Sequence, residues 1–197
     1  MFTKQIGNVI VDFKPLIVFG VIIAIIMLVH LIRAIILEWK FRNAAKKLSL
    51  GDYDNIIEIG EKLLNSYQKY NSRLSTKSVL AKIEYLHFSL AVSYFAKSND
   101  EQFLSHVNAL NTYSDIKEFW LSLFYLNKND LDTATTHYNR ISCNDNTYAQ
   151  RTFIESLQAY KNNEIETAQT KMSAIIEQLK HPILKQIADN ILADNIL

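Results

Sequence analysis

Histidine and cysteine are the side chains of this chain best equipped for metal binding, nucleophilic attack or proton transfer near neutral pH. Their spacing speaks against a local site. No two of the five histidines, His30, His87, His106, His137 and His181, stand three or four residues apart, the spacing that would place two imidazoles over one another on a helix. Cys143 is the single cysteine, which excludes an internal disulfide and a cysteine zinc cluster, and it sits in the polar stretch Ser142-Cys143-Asn144-Asp145-Asn146 without an adjacent base. A G-x-x-x-x-G-K-[ST] phosphate loop, H-E-x-x-H and G-x-S-x-G are all missing. His87, His106 and His137 therefore read as packing or helix-surface residues. No catalytic residue, metal ligand, cofactor or small-molecule substrate is assigned, and the chain is expected not to be an enzyme.

His30 and Arg33, at i and i+3, share a helix face inside an otherwise apolar run, Pro15 to Leu37. Between Pro15 and Ile32 only His30 is polar, and at about 1.5 Å per residue the run nearly spans the roughly 30 Å hydrocarbon layer of a bilayer. A proton relay or a bond to a partner helix is one role for the pair. The other is snorkelling, in which the Arg33 stem lies along the helix and its guanidinium reaches the headgroups. The run is read as a single transmembrane helix, residues 15–37, after a short tail, 1–14. A cleavable signal peptide would be shorter and end in a small-x-small site, whereas this run ends in Arg33-Ala34-Ile35-Ile36-Leu37-Glu38-Trp39. A soluble core helix has no need of such length. Lys4 and Lys14 precede the run, while Arg33, Lys40, Arg42, Lys46 and Lys47 lie in or after its end, which orients the C-terminal part toward the cytoplasm of a cell membrane. Arg33, Trp39, Lys40 and Arg42 are the expected membrane-interface residues.

Composition narrows the remainder. Lys plus Arg number 21 and Asp plus Glu 20, so no basic surface points to nucleic acid, and the basic cluster after the run suits anionic headgroups instead. Gly and Pro are scarce, four and two, and sustained apolar/polar alternation is missing after the run. The fold class is all-α.

A repeat organises the helices. Asn129-Asp130-Leu131-Asp132-Thr133-Ala134 matches Asn163-Glu164-Ile165-Glu166-Thr167-Ala168 position for position at an offset of 34 residues, 129 to 163, with Ser122 against Ser156 and Phe119 against Phe153. Thirty-four residues is the period of a helix–turn–helix unit that buries its apolar face only against a neighbour. Leu50-Gly51-Asp52-Tyr53-Asp54-Asn55-Ile56 and Ala91-Val92-Ser93-Tyr94-Phe95-Ala96-Lys97-Ser98-Asn99-Asp100-Glu101-Gln102-Phe103 fit the same frame, with Ile56 and Phe103 where Ala134 and Ala168 are small. These segments resemble tetratricopeptide repeats. The resemblance implies an α-solenoid of about four helix pairs over 38–180, approximately 38–70, 84–112, 115–142 and 149–179. A capping helix follows over 181–197, begun by Pro182 and ending in a tandem Ala-Asp-Asn-Ile-Leu.

In that family the first helices of the units line a groove for partner segments. The frame places Phe88, Val92, Phe95, Phe119, Leu123, Leu126, Phe153, Leu157 and Tyr160 there, with His87, Glu118, Thr152 and Glu155 at neighbouring polar positions. Either the stripe receives an amphipathic helix or extended apolar segment of a protein partner, or these residues are core. The family's basic clamp for a C-terminal carboxylate is not recognisable. The expected function is a membrane-anchored adaptor or scaffold, from a bacterial, AT-rich genome by its Asn, Lys and Ile content. An extracytoplasmic helper for secreted or envelope proteins and an accessory subunit of a membrane enzyme complex are the alternatives.

Overall fold

The computed structural model describes residues 3–6, 9–12, 14–71, 76–112 and 114–193. The chain divides into two compact units, Met1–Arg42 and Asn43–Leu197. In the first, strands β1 (Thr3–Ile6) and β2 (Val9–Asp12) pair antiparallel, Thr3 opposite Asp12 and Ile6 opposite Val9. Val9, Ile10 and Val11 favour extended backbone. This pair stands where 1–14 was read as a short tail. Every other described element is helical.

Helix α1 (Lys14–Ser49) follows. Its stretch from Ile17 to Ser49, 33 residues, is apolar and long enough to cross a membrane, and its most apolar window has no buried part. Phe19 is 63% exposed, Met27 67% and Leu31 58%, an apolar surface that water does not tolerate over such a length. Arg33, Trp39, Lys40 and Arg42 are all exposed, and Arg42 Nε donates to Glu38 Oε1 at 3.2 Å.

The second unit contains the end of α1 and helices α2 (Tyr53–Asn71), α3 (Lys77–Ala96), α4 (Asp100–Asn108), α5 (Ser114–Asn127), α6 (Leu131–Tyr138), α7 (Tyr148–Lys161), α8 (Ile165–Ser173) and α9 (Pro182–Ala193), with a 3₁₀ turn at Ile176–Gln178. Helix α2 packs on α3, α3 on α4, α5 on α6 and on α7, α7 on α8, and α8 on α9. Residues 194–197, and with them the second Ala-Asp-Asn-Ile-Leu copy beyond Ala193, lie outside the described residues.

Four turns share one geometry. Gly51, Ser98, Asn129 and Asn163 have φ of 72°, 55°, 60° and 62°, the left-handed conformation that ends a helix. At each, the next N–H reaches back five residues: Asp52 to Lys47 O, Asn99 to Tyr94 O, Asp130 to Tyr125 O and Glu164 to Ala159 O, at 2.9–3.1 Å. The frame expected Gly or Asn here, so Ser98 is the departure. Asn99 and Asp130 then cap the following helices, their side chains accepting from the N–H groups of Gln102 and Thr133.

The core keeps the same register. Seven residues before each turn residue stand Ala44, Ala91, Ser122 and Ser156; five after stand Ile56, Phe103, Ala134 and Ala168; twelve after stand Leu63, Leu110, Ile141 and Ile175, and all twelve are buried. Two hydrogen bonds repeat at the 34-residue offset, Ser122 Oγ to Ala134 O at 2.9 Å and Ser156 Oγ to Ala168 O at 2.6 Å. A helix interior disfavours Ser, but here the hydroxyl is bonded to a carbonyl of the paired helix. Successive hairpins are tied as well, since Lys97 Nζ reaches Asp54, Lys128 Nζ reaches Asp100 and Lys161 Nζ reaches Asn129 in the preceding turn or helix start. Such exposed pairs add little stability each; their value is as markers of register.

Candidate functional site

The site is the apolar face that α3, α5 and α7 turn toward α9. Position in the hairpin decides which side chains reach it, because residues at i, i+3, i+4 and i+7 of a helix share a face. Of the nine stripe residues, Val92, Phe119, Leu123, Leu126, Phe153 and Leu157 are buried, whereas Phe88, Phe95 and Tyr160 keep part of their surface. Trp120, absent from the stripe by sequence, is its hub: its ring meets Phe88 at 6.3 Å, Phe95 at 5.5 Å and Phe119 at 5.7 Å between centroids, edge to face in each case. Phe119 passes the ring chain on to Phe153 at 5.9 Å.

The last segment of the chain returns across this face. His181 lies edge-on to Trp120, centroids 5.9 Å apart, and stacks on Tyr53 at 6.4 Å and 13°. Pro182 begins α9 beside Gly51, where an added β-carbon would meet Pro182 Cβ at an ordinary contact distance of 3.4 Å, so it is the left-handed φ of 72° that favours glycine there. Ala188 and Ile191 are buried, and Gln169 of α8 donates to Ile191 O at 3.2 Å. Between α9 and the three first helices an open cleft of about 280 Å³ remains. Phe95, Leu123, Leu126 and Leu157 line it from the stripe, Ile183 and Ile187 from α9, and Asn127, Lys161, Gln186 and Asn190 are its exposed polar rim. Both ring nitrogens of His181 are buried without a hydrogen-bond partner, and burial pushes the imidazole down to about 4.

A row of polar pairs joins the two helices of successive hairpins. Glu118 Oε2 accepts from His137 Nδ1 at 2.7 Å, and His87 and His106 meet Nδ1 to Nδ1 at 3.0 Å; both pairs span 19 residues, and each joins position −11 to position +8 of its turn. Tyr94 stacks on His106 and Tyr125 on His137, at 5.5 and 5.4 Å. Glu61 of α2 completes the first pair, its Oε1 lying 3.1 Å from His106 Nε2 and also accepting from Tyr94 OH. An Nδ1–Nδ1 bond needs one donor and one lone pair, and with Nε2–H of His106 directed at Glu61 the donor is His87. Burial and then the neighbouring His106 hold His87 below its usual value, with Glu61 and Glu84 acting in the opposite sense. Among the described residues no group of three or more His, Cys, Asp or Glu could hold a metal ion.

Cys143 is exposed, at the edge of a second open cleft of about 670 Å³ lined also by Arg151, Glu155 and Lys171. Arg151, Glu155 and Lys171 are already engaged: Arg151 donates to Ile141 O at 2.9 Å and to Tyr138 OH at 2.8 Å, and Lys171 and Tyr138 both donate to Glu155. Burial, reinforced by Glu155, pushes the Tyr138 hydroxyl up to about 12. Burial would raise Glu155, but the bonds from Lys171 and Tyr138 outweigh it and hold it low. The paired charges read as a strut between α7 and its neighbours.

The sequence reading missed Trp120 and the return of α9. Ile183, Ile187 and Ile191 at i, i+4 and i+8 carried a signal for the second, since a helix with one apolar stripe must lay it on something. It also missed the 19-residue pairs, which become visible only when positions are counted from the turns.

Fold and site together describe an apolar helix long enough to span a membrane and a set of helical hairpins whose first helices share a covered apolar face. No family model, curated protein or solved structure matches the chain.

Proposed function

We propose that this protein is a single-pass, membrane-anchored, non-catalytic adaptor whose tetratricopeptide-like helical stack binds a protein partner through the face of α3, α5 and α7. The observation that carries the reading is the recurrence of one hairpin at four turns, with left-handed residues at 51, 98, 129 and 163 and the same buried positions counted from each. Repeated hairpins present an extended surface suited to recognition, not a closed pocket suited to chemistry. The apolar, exposed α1 supports the anchor, and the excess of Lys and Arg after the run supports a cytoplasmic location for the helical part.

Two experiments test it. The exposed thiol of Cys143 reports sidedness: a membrane-impermeant maleimide should label it in lysed cells and not in intact ones. Equal labelling in both would move the domain outside and favour the helper for envelope proteins. Brief crosslinking and co-purification of the full chain in detergent should then recover a stoichiometric partner that Phe95→Asp and Tyr160→Asp lose while retaining helicity. Retention of the partner by both variants would take recognition away from this face.

A further inference from the structure

The strand pair ahead of α1 has two unlike faces. In an antiparallel pair, residues directly opposite one another share a face, and so do residues two apart along a strand. Lys4 stands opposite Val11 and Ile6 opposite Val9, so these four occupy one face of β1–β2, while Thr3, Gln5, Ile10 and Asp12 occupy the other. On the first face only Lys4 is polar; on the second only Ile10 is apolar. We propose that the face of Lys4, Ile6, Val9 and Val11 lies on the lipid surface from which α1 emerges, which makes residues 3–12 an interfacial anchor beside the membrane-spanning one. The inference rests on the anchor reading of α1 and adds to it a second, surface-bound element.

Place and physics select this occupant. Strand β2 ends at Asp12, α1 begins at Lys14, and the apolar stretch of α1 starts at Ile17. The five steps from Asp12 to Ile17 reach at most about 18 Å fully extended, and less because most of them are helical. The pair is thus tethered at the mouth of the span. Two strands by themselves are only marginally stable in water, and β1 and β2 pack on each other. Insertion into the hydrocarbon is closed to them, since the N–H and C=O groups of two open edges would find no partner there. Pairing with a second copy would use those edges and leave the apolar face as uncovered as before. A surface position satisfies both demands: the edges stay among headgroups and water while Ile6, Val9 and Val11 leave water. A lysine suits such a face, because its stem is apolar and its ammonium reaches the headgroups.

The test is a nitroxide scan of the full chain in phospholipid vesicles. With the exposed Cys143 changed by Cys143→Ser, single cysteines are placed in turn at 3–6 and 9–12 and spin-labelled. Phe19→Cys and Leu28→Cys, at exposed positions of α1, are the controls. Collisions with oxygen, which concentrates in lipid, are compared with those of a water-soluble nickel chelate. The ratio of oxygen to nickel should alternate with a period of two, severalfold higher at 4, 6, 9 and 11 than at 3, 5, 10 and 12. Lys4→Cys and Ile10→Cys are the deciding pair, since the register places the lysine position toward lipid and the isoleucine position toward water, the reverse of what side-chain polarity alone dictates. Each variant alters one position, so a label that disturbs the pair spoils one point and not the pattern. Uniform access to nickel, alternation in the opposite phase, or protection accompanied by spin–spin broadening between copies would overturn the inference. If the α1 controls report lipid while the strands show no alternation, the surface element falls and the anchor stands; if the controls themselves report water, both fall.

Discussion

Hairpins α3–α4 and α5–α6 are built on one register and solve the same packing problem in opposite ways. In α5–α6 the helices meet at Ala134, a small residue that lets the Ser122 hydroxyl reach its carbonyl at 2.9 Å. In α3–α4 the equivalent position is Phe103, fully buried, its ring stacked on Phe124 at 4.8 Å and meeting Phe95 at 5.5 Å, and the Ser is replaced by Ala91. Size and polarity change together: the small residue comes with a serine hydrogen bond, the aromatic ring with an alanine. At the polar pair Glu118–His137 becomes His87–His106 with Glu61 supplied from α2. The carboxylate that fastens the loop after each hairpin is kept, Asp115 accepting from the Ser142 N–H and Glu84 from those of Asn111 and Thr112. The lesson is that the turn and the loop clasp define the unit, while its interior is free to exchange one packing solution for another.

The largest expected effect breaks the aromatic hairpin: Phe103→Ala should cost about 3–5 kcal/mol in denaturant unfolding, by lost transfer energy and a cavity. Its mirror, Ala134→Phe, should cost about 1–3 kcal/mol by overpacking the fully buried site of Ala134. An equal tolerance of both would show that the two interiors are interchangeable.

Acid should distinguish the hairpins next. His87 and His181 both have folded values below the usual 6.5, so the unfolded chain takes up protons first and stability is lost as pH falls. The stabilisation is fully present above about pH 6.5, and for His181 the loss continues down to about 4. His87→Glu, which copies Glu118, and His181→Phe should each flatten this part of a stability–pH profile, and an unchanged slope in both variants would assign the acid sensitivity elsewhere.

Smaller still, Ser122→Ala and Ser156→Ala should each cost about 1 kcal/mol by thermal unfolding, whereas Ala91→Ser should bring no gain because it adds a hydroxyl to a fully buried apolar site. At the turns Ser98→Gly should stabilise by about 0.5–1 kcal/mol and Asn129→Gly by less, since Asn tolerates a left-handed φ better than Ser does. A larger gain at Asn129 would contradict the role assigned to φ there.

How much of this was legible depended on the range of the interaction. The apolar run before Arg33, the 34-residue match and the left-handed Asn129 and Asn163 are local properties of composition and backbone, and the sequence alone exposed them. Ser98 was harder to see because its side chain has no particular liking for positive φ; the hairpin around it imposes the conformation. The nine stripe residues were placed on one face, but spacing within a helix does not say what covers that face. Trp120 and His181 meet only because the segment after α8 doubles back, a tertiary event with no local signature. The pair β1–β2 was passed over because 1–14 was read as a short tail and alternation was weighed only after the apolar run.

The stacking of His181 on Tyr53 closes a loop of 128 residues, 53 to 181, while the hairpin packings α2 on α3, α3 on α4, α5 on α6 and α7 on α8 join helices adjacent in sequence. Local hairpins form quickly and long loops close late, so this contact is expected to be the final one made. During synthesis at about 5–20 residues per second, α3 and α5 are made well before α9. Each new molecule thus passes through an interval with its aromatic face bare, and in concentrated refolding that interval is when the α9 of one copy can dock on another, making exchanged dimers the characteristic misassembly of this fold.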